Sequence, residues 1–173
     1  MEVIETESKD KHAIEQAKNQ LAYIVNMVKR LDHTEECDGN YICEGTDEAP
    51  EDKEICEGLG RYYEAGKTVV TEEMRDDYHD HDGALSNIED DPISVQVRSG
   101  WANLGEELEP EEFEILLCTG GPAVRIIGEL SSGEAKRAWM EYQDWGIPWT
   151  QYVNLTKEEQ YAIQRYAGIF FTN

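Results

Sequence analysis

The chain has 173 residues and carries 38 Asp and Glu against 15 Lys and Arg, a net charge of −23. That balance excludes direct nucleic-acid binding and docking on anionic lipid, because phosphate contacts are made by Lys and Arg, and it favours basic partners. No apolar run approaches the ~18 residues that span a bilayer, and the N-terminus MEVIETESKDK has neither the basic nor the apolar region of a signal peptide, so a cytoplasmic setting is expected.

The first predicted element is a helix over 12–31. Ile14, Ala17, Leu21, Ile24, Val25, Val28 and Leu31 fall on one stripe at three- and four-residue steps, and Lys29 and Arg30 sit where the helix dipole favours cations. Residues 32–57 (DHTEECDGNYICEGTDEAPEDKEICE) follow, with eleven acids, two Gly and one Pro and no period, and read as an acidic loop or insert. A second helix is expected from Thr71 to about Asp90, with Thr71 as N-cap, an apolar edge of Met74, Tyr78, Leu85 and Ile88, and a stop at Asp91-Pro92. Charge peaks across this region. Residues 32–91 hold 21 acids against four bases, net −17, whereas residues 1–31 balance at five against five.

After Pro92 the period changes to two. Ile93, Val95 and Val97 alternate with Ser94, Gln96 and Arg98, which predicts a half-buried strand. Phe113–Thr119 is nearly continuous and predicts an interior strand. Gly120-Gly121-Pro122 marks a turn that needs positive φ, Val124–Leu130 the antiparallel return, Ser131-Ser132-Gly133 a hairpin, and Arg137–Asp144 a fourth strand. Thr156-x-x-Glu159 is a capping box opening a last helix whose buried face is Ile163, Tyr166, Ala167 and Phe170. The chain therefore reads as one α+β domain over 1–173: N-terminal helices, a four-stranded antiparallel meander and a C-terminal helix.

The strings Val97-Arg98-Ser99-Gly100-Trp101, Glu114–Val124 (EILLCTGGPAV), Gln143-Asp144-Trp145-Gly146 and Pro148-Trp149-Thr150 resemble a family of small, mostly uncharacterised proteins encoded by phages, prophages and mobile elements. The resemblance covers roughly residues 70–173. It implies a phage or mobile-element setting, in which proteins often act against host defence, and it carries no activity, cofactor or catalytic residue.

Local chemistry points away from catalysis and from metals. Cys37-x5-Cys43-x12-Cys56, even with His33, lacks the two-to-four-residue ligand spacing of structural zinc. Asp80, Asp82, Gly83 and Glu89 match part of a calcium loop, but Tyr78 stands where the first carboxylate is needed. His79 and His81 are two residues apart and diverge on a helix. Cys118 ends an apolar strand, and all four His lie before residue 92, so no base is placed beside it. Trp101, Trp139, Trp145 and Trp149 lack the Lys and Arg of a base-stacking platform and are expected to pack in the core or on the sheet. Asp144 is expected to pair with Arg98 or Arg125.

The leading expectation is thus a non-enzymatic inhibitor without cofactor. Its carboxylates would mimic nucleic-acid charge and block a basic DNA- or RNA-binding host defence protein, of anti-CRISPR or anti-restriction type. The candidate partner-binding residues are Glu72, Glu73, Asp76, Asp77, Asp80, Asp82, Glu89 and Asp90 on the second helix, with Asp47, Glu48, Glu51 and Asp52 in the loop. The alternatives are a phage accessory or structural protein with a solvated acidic face, and a small enzyme using a pocket on the sheet with Cys118, Arg98 and Asp144.

Overall fold

The computed structural model describes residues 2–36 and 80–171, with side chains over 11–34 and 80–171. The element order is α1 (Glu2–Glu36), α2 (His81–Glu89), β1 (Ser94–Arg98), β2 (Glu112–Cys118), β3 (Ala123–Ser131), β4 (Glu134–Gln143), β5 (Thr150–Gln151) and α3 (Lys157–Ile169). The chain divides into two compact units, one of Met1–Asn26 with Ile88–Asn173 and one of Met27–Asn87. Helices beside an antiparallel meander make the fold α+β, with strand order β1-β2-β3-β4-β5.

Helix α1 is longer than its apolar stripe predicted. Glu- and Lys-rich flanks are good helix formers, and extending a formed helix is cheap. Its buried stripe is Ala13, Ala17, Leu21, Ile24, Met27, Val28 and Leu31, whereas Ile14 is 41% exposed and Val25 half-buried. The stripe thus runs through Ala13 and Met27, a small rotation of the expected face. Residues 32–36, expected to open the acidic loop, continue the helix; residues 37–57 lie outside the described residues. Thr34 explains part of this continuation. It is buried, donates its hydroxyl to the Leu31 carbonyl at 2.7 Å, and lies 3.0 Å from His81 Nδ1 in the same compact unit.

Helix α2 begins at His81, and its expected portion over 71–79 lies outside the described residues. Asp80 is its N-cap, accepting from the Gly83 amide at 3.0 Å while its carbonyl accepts from Ala84. That use of Asp80 is the physical content of the partial calcium-loop match: the helix starts inside the would-be loop. The helix ends before Pro92 as expected, closing with Asp91 N–H on the Ile88 carbonyl.

In the sheet, Phe113, Ile115 and Leu117 of β2, Val124 and Ile126 of β3 and Ala138 and Met140 of β4 face the core. The β2–β3 turn has Gly120 at φ +99°. The β3–β4 hairpin has Ser132 at +55° and Gly133 at +84°, the two positive φ values of a type I′ two-residue hairpin turn. Strand β1 departs from expectation. It pairs with β2 from Ser94↔Leu116 to Arg98↔Glu112, yet the residues expected to be half-buried are exposed: Ile93 57%, Val95 39% and Val97 51%. A fifth strand, Thr150–Gln151, adds to the predicted four by pairing with Glu141 and Tyr142; two residues carry no period to read.

Helix α3 opens with the predicted capping box. Thr156 Oγ1 accepts from the Glu159 amide at 3.2 Å, and the Glu159 carboxylate accepts from the Thr156 amide at 2.7 Å. Ala162, Ile163, Tyr166 and Ala167 are its buried face, with Phe170 half-buried. Replacing Thr156 by Ala is expected to cost about 1 kcal/mol, read as a lower urea midpoint at unchanged slope.

Candidate functional site

The sheet face opposite the buried core residues carries three cross-strand rows. Arg98, Glu112, Glu129 and Arg137 form one; Gln96, Glu114, Ile127 and Trp139 the next; Leu116, Arg125, Glu141 and Gln151 the third. Every arginine in these rows is engaged by a carboxylate from an adjacent strand. Arg125 donates through Nη1 to Glu114, and through Nη2 and Nε to Glu141 Oε2 at 2.7 and 3.0 Å; its guanidinium lies 4.1 Å over the Trp149 ring. Arg98 donates to Glu112, and Arg137 lies 3.5 Å from Glu129. The hydrogen bond from Arg98 holds the Glu112 carboxyl below the usual carboxylate range, and the same bond raises Arg98.

Between these ion pairs lies a groove of about 220 Å³. Gln96, Arg98, Glu112, Glu114 and Arg125 border it, with Ile127 and Trp139 beneath. Its charged groups neutralise one another in pairs, and the described residues that line it include no His, Cys or Ser to act as base or nucleophile. The trio expected for an enzyme on the sheet is dispersed, since only Arg98 reaches the groove. Cys118 receives the Gln16 side-chain amide of α1 at 3.7 Å and points its thiol at the Pro122 carbonyl. Asp144 pairs with neither arginine, correcting that expectation. It is buried in its own turn, its carboxylate accepting from the Trp145 amide at 2.7 Å and its carbonyl from Ile147. The neighbouring amide is one residue away, whereas the arginines are already held by nearer carboxylates.

The tryptophans divide. Trp139 and Trp149 lie half-buried on the sheet face as expected, but Trp101 and Trp145 are exposed.

Of the candidate partner-binding residues, Asp80, Asp82, Glu89 and Asp90 are described and exposed. Asp82 and Glu89, seven residues apart, share the outward side of α2, opposite the buried Ala84 and Ile88. Asp82, Glu89 and Asp90 meet no cation among the described residues, while Asp80 commits one oxygen to its cap. Glu72, Glu73, Asp76, Asp77, Asp47, Glu48, Glu51 and Asp52 lie outside the described residues.

A further acidic group lies outside the expected partner-binding residues, on the connection between β1 and β2. Residues 106–112 (EELEPEE) put Glu106, Glu107, Glu109 and Glu111 on the exposed β1–β2 connection. Glu106 is ordered by Asn103, which donates its side-chain amide at 3.1 Å and its backbone amide at 3.0 Å; these bonds lower the Glu106 pKa. Five carboxylates in seven residues was the available signal, overshadowed by the larger excess upstream.

No helix among the described residues is long and apolar enough to cross a membrane. Comparison with family models, with curated proteins and with solved structures gave no match.

Proposed function

We propose that this protein is a non-enzymatic polyanionic binder that docks its free carboxylates on the basic nucleic-acid channel of another protein and so excludes the nucleic acid. One observation carries the reading. The sheet arginines 98, 125 and 137 are spent on Glu112, Glu114, Glu141 and Glu129, which leaves outward acids such as Asp82, Glu89, Asp90, Glu107 and Glu109 with no cation among the described residues. Uncompensated charge of one sign attracts a complementary groove and speeds encounter. The mobile-element setting implied by the C-terminal motifs makes a defence protein of the host cytoplasm the natural target. The self-neutralised groove on the sheet supports the non-enzymatic reading over the small-enzyme alternative.

The test starts from capture of the target from a host lysate, followed by binding measured against salt and against duplex DNA. Affinity is expected to fall steeply as salt rises to about 0.5 M, where the screening length is only a few Å. Combining Asp82→Asn, Glu89→Gln and Asp90→Asn is expected to weaken binding by about tenfold or more while leaving thermal stability unchanged. A target that binds this protein and DNA together, or that binds equally well at high salt, overturns the proposal.

A further inference from the structure

We propose that the outer edge of β1 is a self-association surface, taking β1 of a second copy in antiparallel register. The inference is independent of the polyanionic reading and rests on different residues.

The two edges of the sheet are treated differently. On the β4 side, the open carbonyls are covered by α3: Gln160 Nε2 donates to Ala138 O at 3.1 Å and Gln164 Nε2 to Ala135 O at 2.7 Å. Further along β4, β5 pairs with Glu141 and Tyr142, and Tyr152 donates to Met140 O. At the β1 side, no element among the described residues pairs beyond the strand. β1 (SVQVR) has no lysine, no proline and no bulge in its pairing with β2, and its one charge, Arg98, is held by Glu112. Its apolar side chains Ile93, Val95 and Val97 are partly exposed, and the connection that follows presents Trp101 and Leu104 fully exposed. Trp101 is three residues beyond Arg98, hence within about 10 Å of the strand's end.

Local composition bears on the occupant. Residues 92–105 (PISVQVRSGWANLG) contain no acid and one arginine, in a chain of net charge −23. A basic partner would find no carboxylate on this strand, and Glu112 and Glu114, opposite Arg98 and Gln96 on β2, are held by Arg98 and Arg125. A second copy fits better because the strand is self-complementary. A twofold axis through Gln96 sets Val95 against Val97 of the second copy, Val97 against its Val95, and Ser94 against its Arg98. Strand pairing alone buries little, but each Trp101 adds roughly 150–250 Å², bringing the contact toward the size of a specific interface.

Two copies of a −23 chain repel, so the dimer is expected to tighten as salt rises, the reverse of the dependence expected for binding a basic target. Sedimentation equilibrium of the full chain across a salt series reads this directly. Val97→Lys is expected to raise the dimer dissociation constant on the order of 100-fold, since a paired apolar contact is lost twice. Its circular dichroism and melting temperature are expected to hold, because Val97 is half exposed in the single chain. With Cys37, Cys43, Cys56 and Cys118 changed to Ser, Gln96→Cys is expected to form an intermolecular disulfide under mild oxidant, as directly opposed residues lie about 5 Å apart at Cα. A chain that stays monomeric at every salt and protein concentration overturns the proposal. So does a dimer that tolerates Val97→Lys and leaves the Gln96→Cys variant unlinked. A monomer in which Val97→Lys instead disturbs binding of another protein reassigns the edge to that protein.

Discussion

Gly128→Ala is expected to be the most damaging single-methyl change in the sheet. Gly128 sits in the middle of β3, opposite Phe113 on β2 and Ala138 on β4, where the neighbouring strands leave no room for a side chain. A Cβ there would run into the Arg137 carbonyl oxygen and lie 2.5 and 2.6 Å from two atoms of the Phe113 ring. The carbonyl belongs to backbone and moves only if β4 moves. The ring is itself wedged, 3% exposed and 4.7 Å from the Phe171 ring. Overpacking of a tight interior typically costs ~1–3 kcal/mol, and a clash with ladder backbone belongs at or above the top of that range. The expected result is a loss of about 3 kcal/mol in urea denaturation, or failure to accumulate folded protein. Gly120→Ala is a useful contrast: a Cβ there meets nothing within 4 Å, and its cost comes only from the φ of +99°. If Gly128→Ala were as stable as the parent, the packing of Phe113 beneath β3 would be wrong.

Alkaline pH is expected to destabilise the protein through Tyr166. This residue is fully buried on α3, and its hydroxyl donates to Asp91 Oδ2 at 2.6 Å. Burial first, then the hydrogen bond and the charge of Asp91, raise its phenol well above the ordinary value of 10.0. The folded state therefore keeps a proton that the unfolded chain releases above pH 10. The contribution is intact below that pH and declines by ~1.4 kcal/mol for each unit above it, until the folded group itself titrates. Tyr166→Phe is expected to cost about 1–2 kcal/mol at neutral pH, because Asp91 loses its donor, and to flatten the decline above pH 10. Urea midpoints of both proteins at neutral and alkaline pH separate the two effects. Equal alkaline slopes would show that Tyr166 is not the group responsible.

Much of the fold was legible because its signals are local. The stripe from Ala17 to Leu31, the break at Pro92, the alternation in β3 and β4, and the Thr156–Glu159 box each depend on residues a few positions apart. The site was less legible. Composition located the acids but not which of them stay free, because that depends on where the cations go. Arg125 finds Glu114 and Glu141, 11 and 16 residues away, only through the register of three strands. Asp144 closes its own turn and pairs with neither Arg98 nor Arg125.

Composition determined the net charge of −23, and residue order the periods of the main helices and strands and the positions where Gly and Pro turn or end the chain. Tertiary structure decided which alternating apolar residues are covered. Val95 and Phe113 follow the same two-residue rhythm, yet Phe113 is buried under neighbouring strands and side chains while Val95 stays exposed at the rim. Periodicity states which way a side chain faces; only the elements packed above it determine whether water is removed.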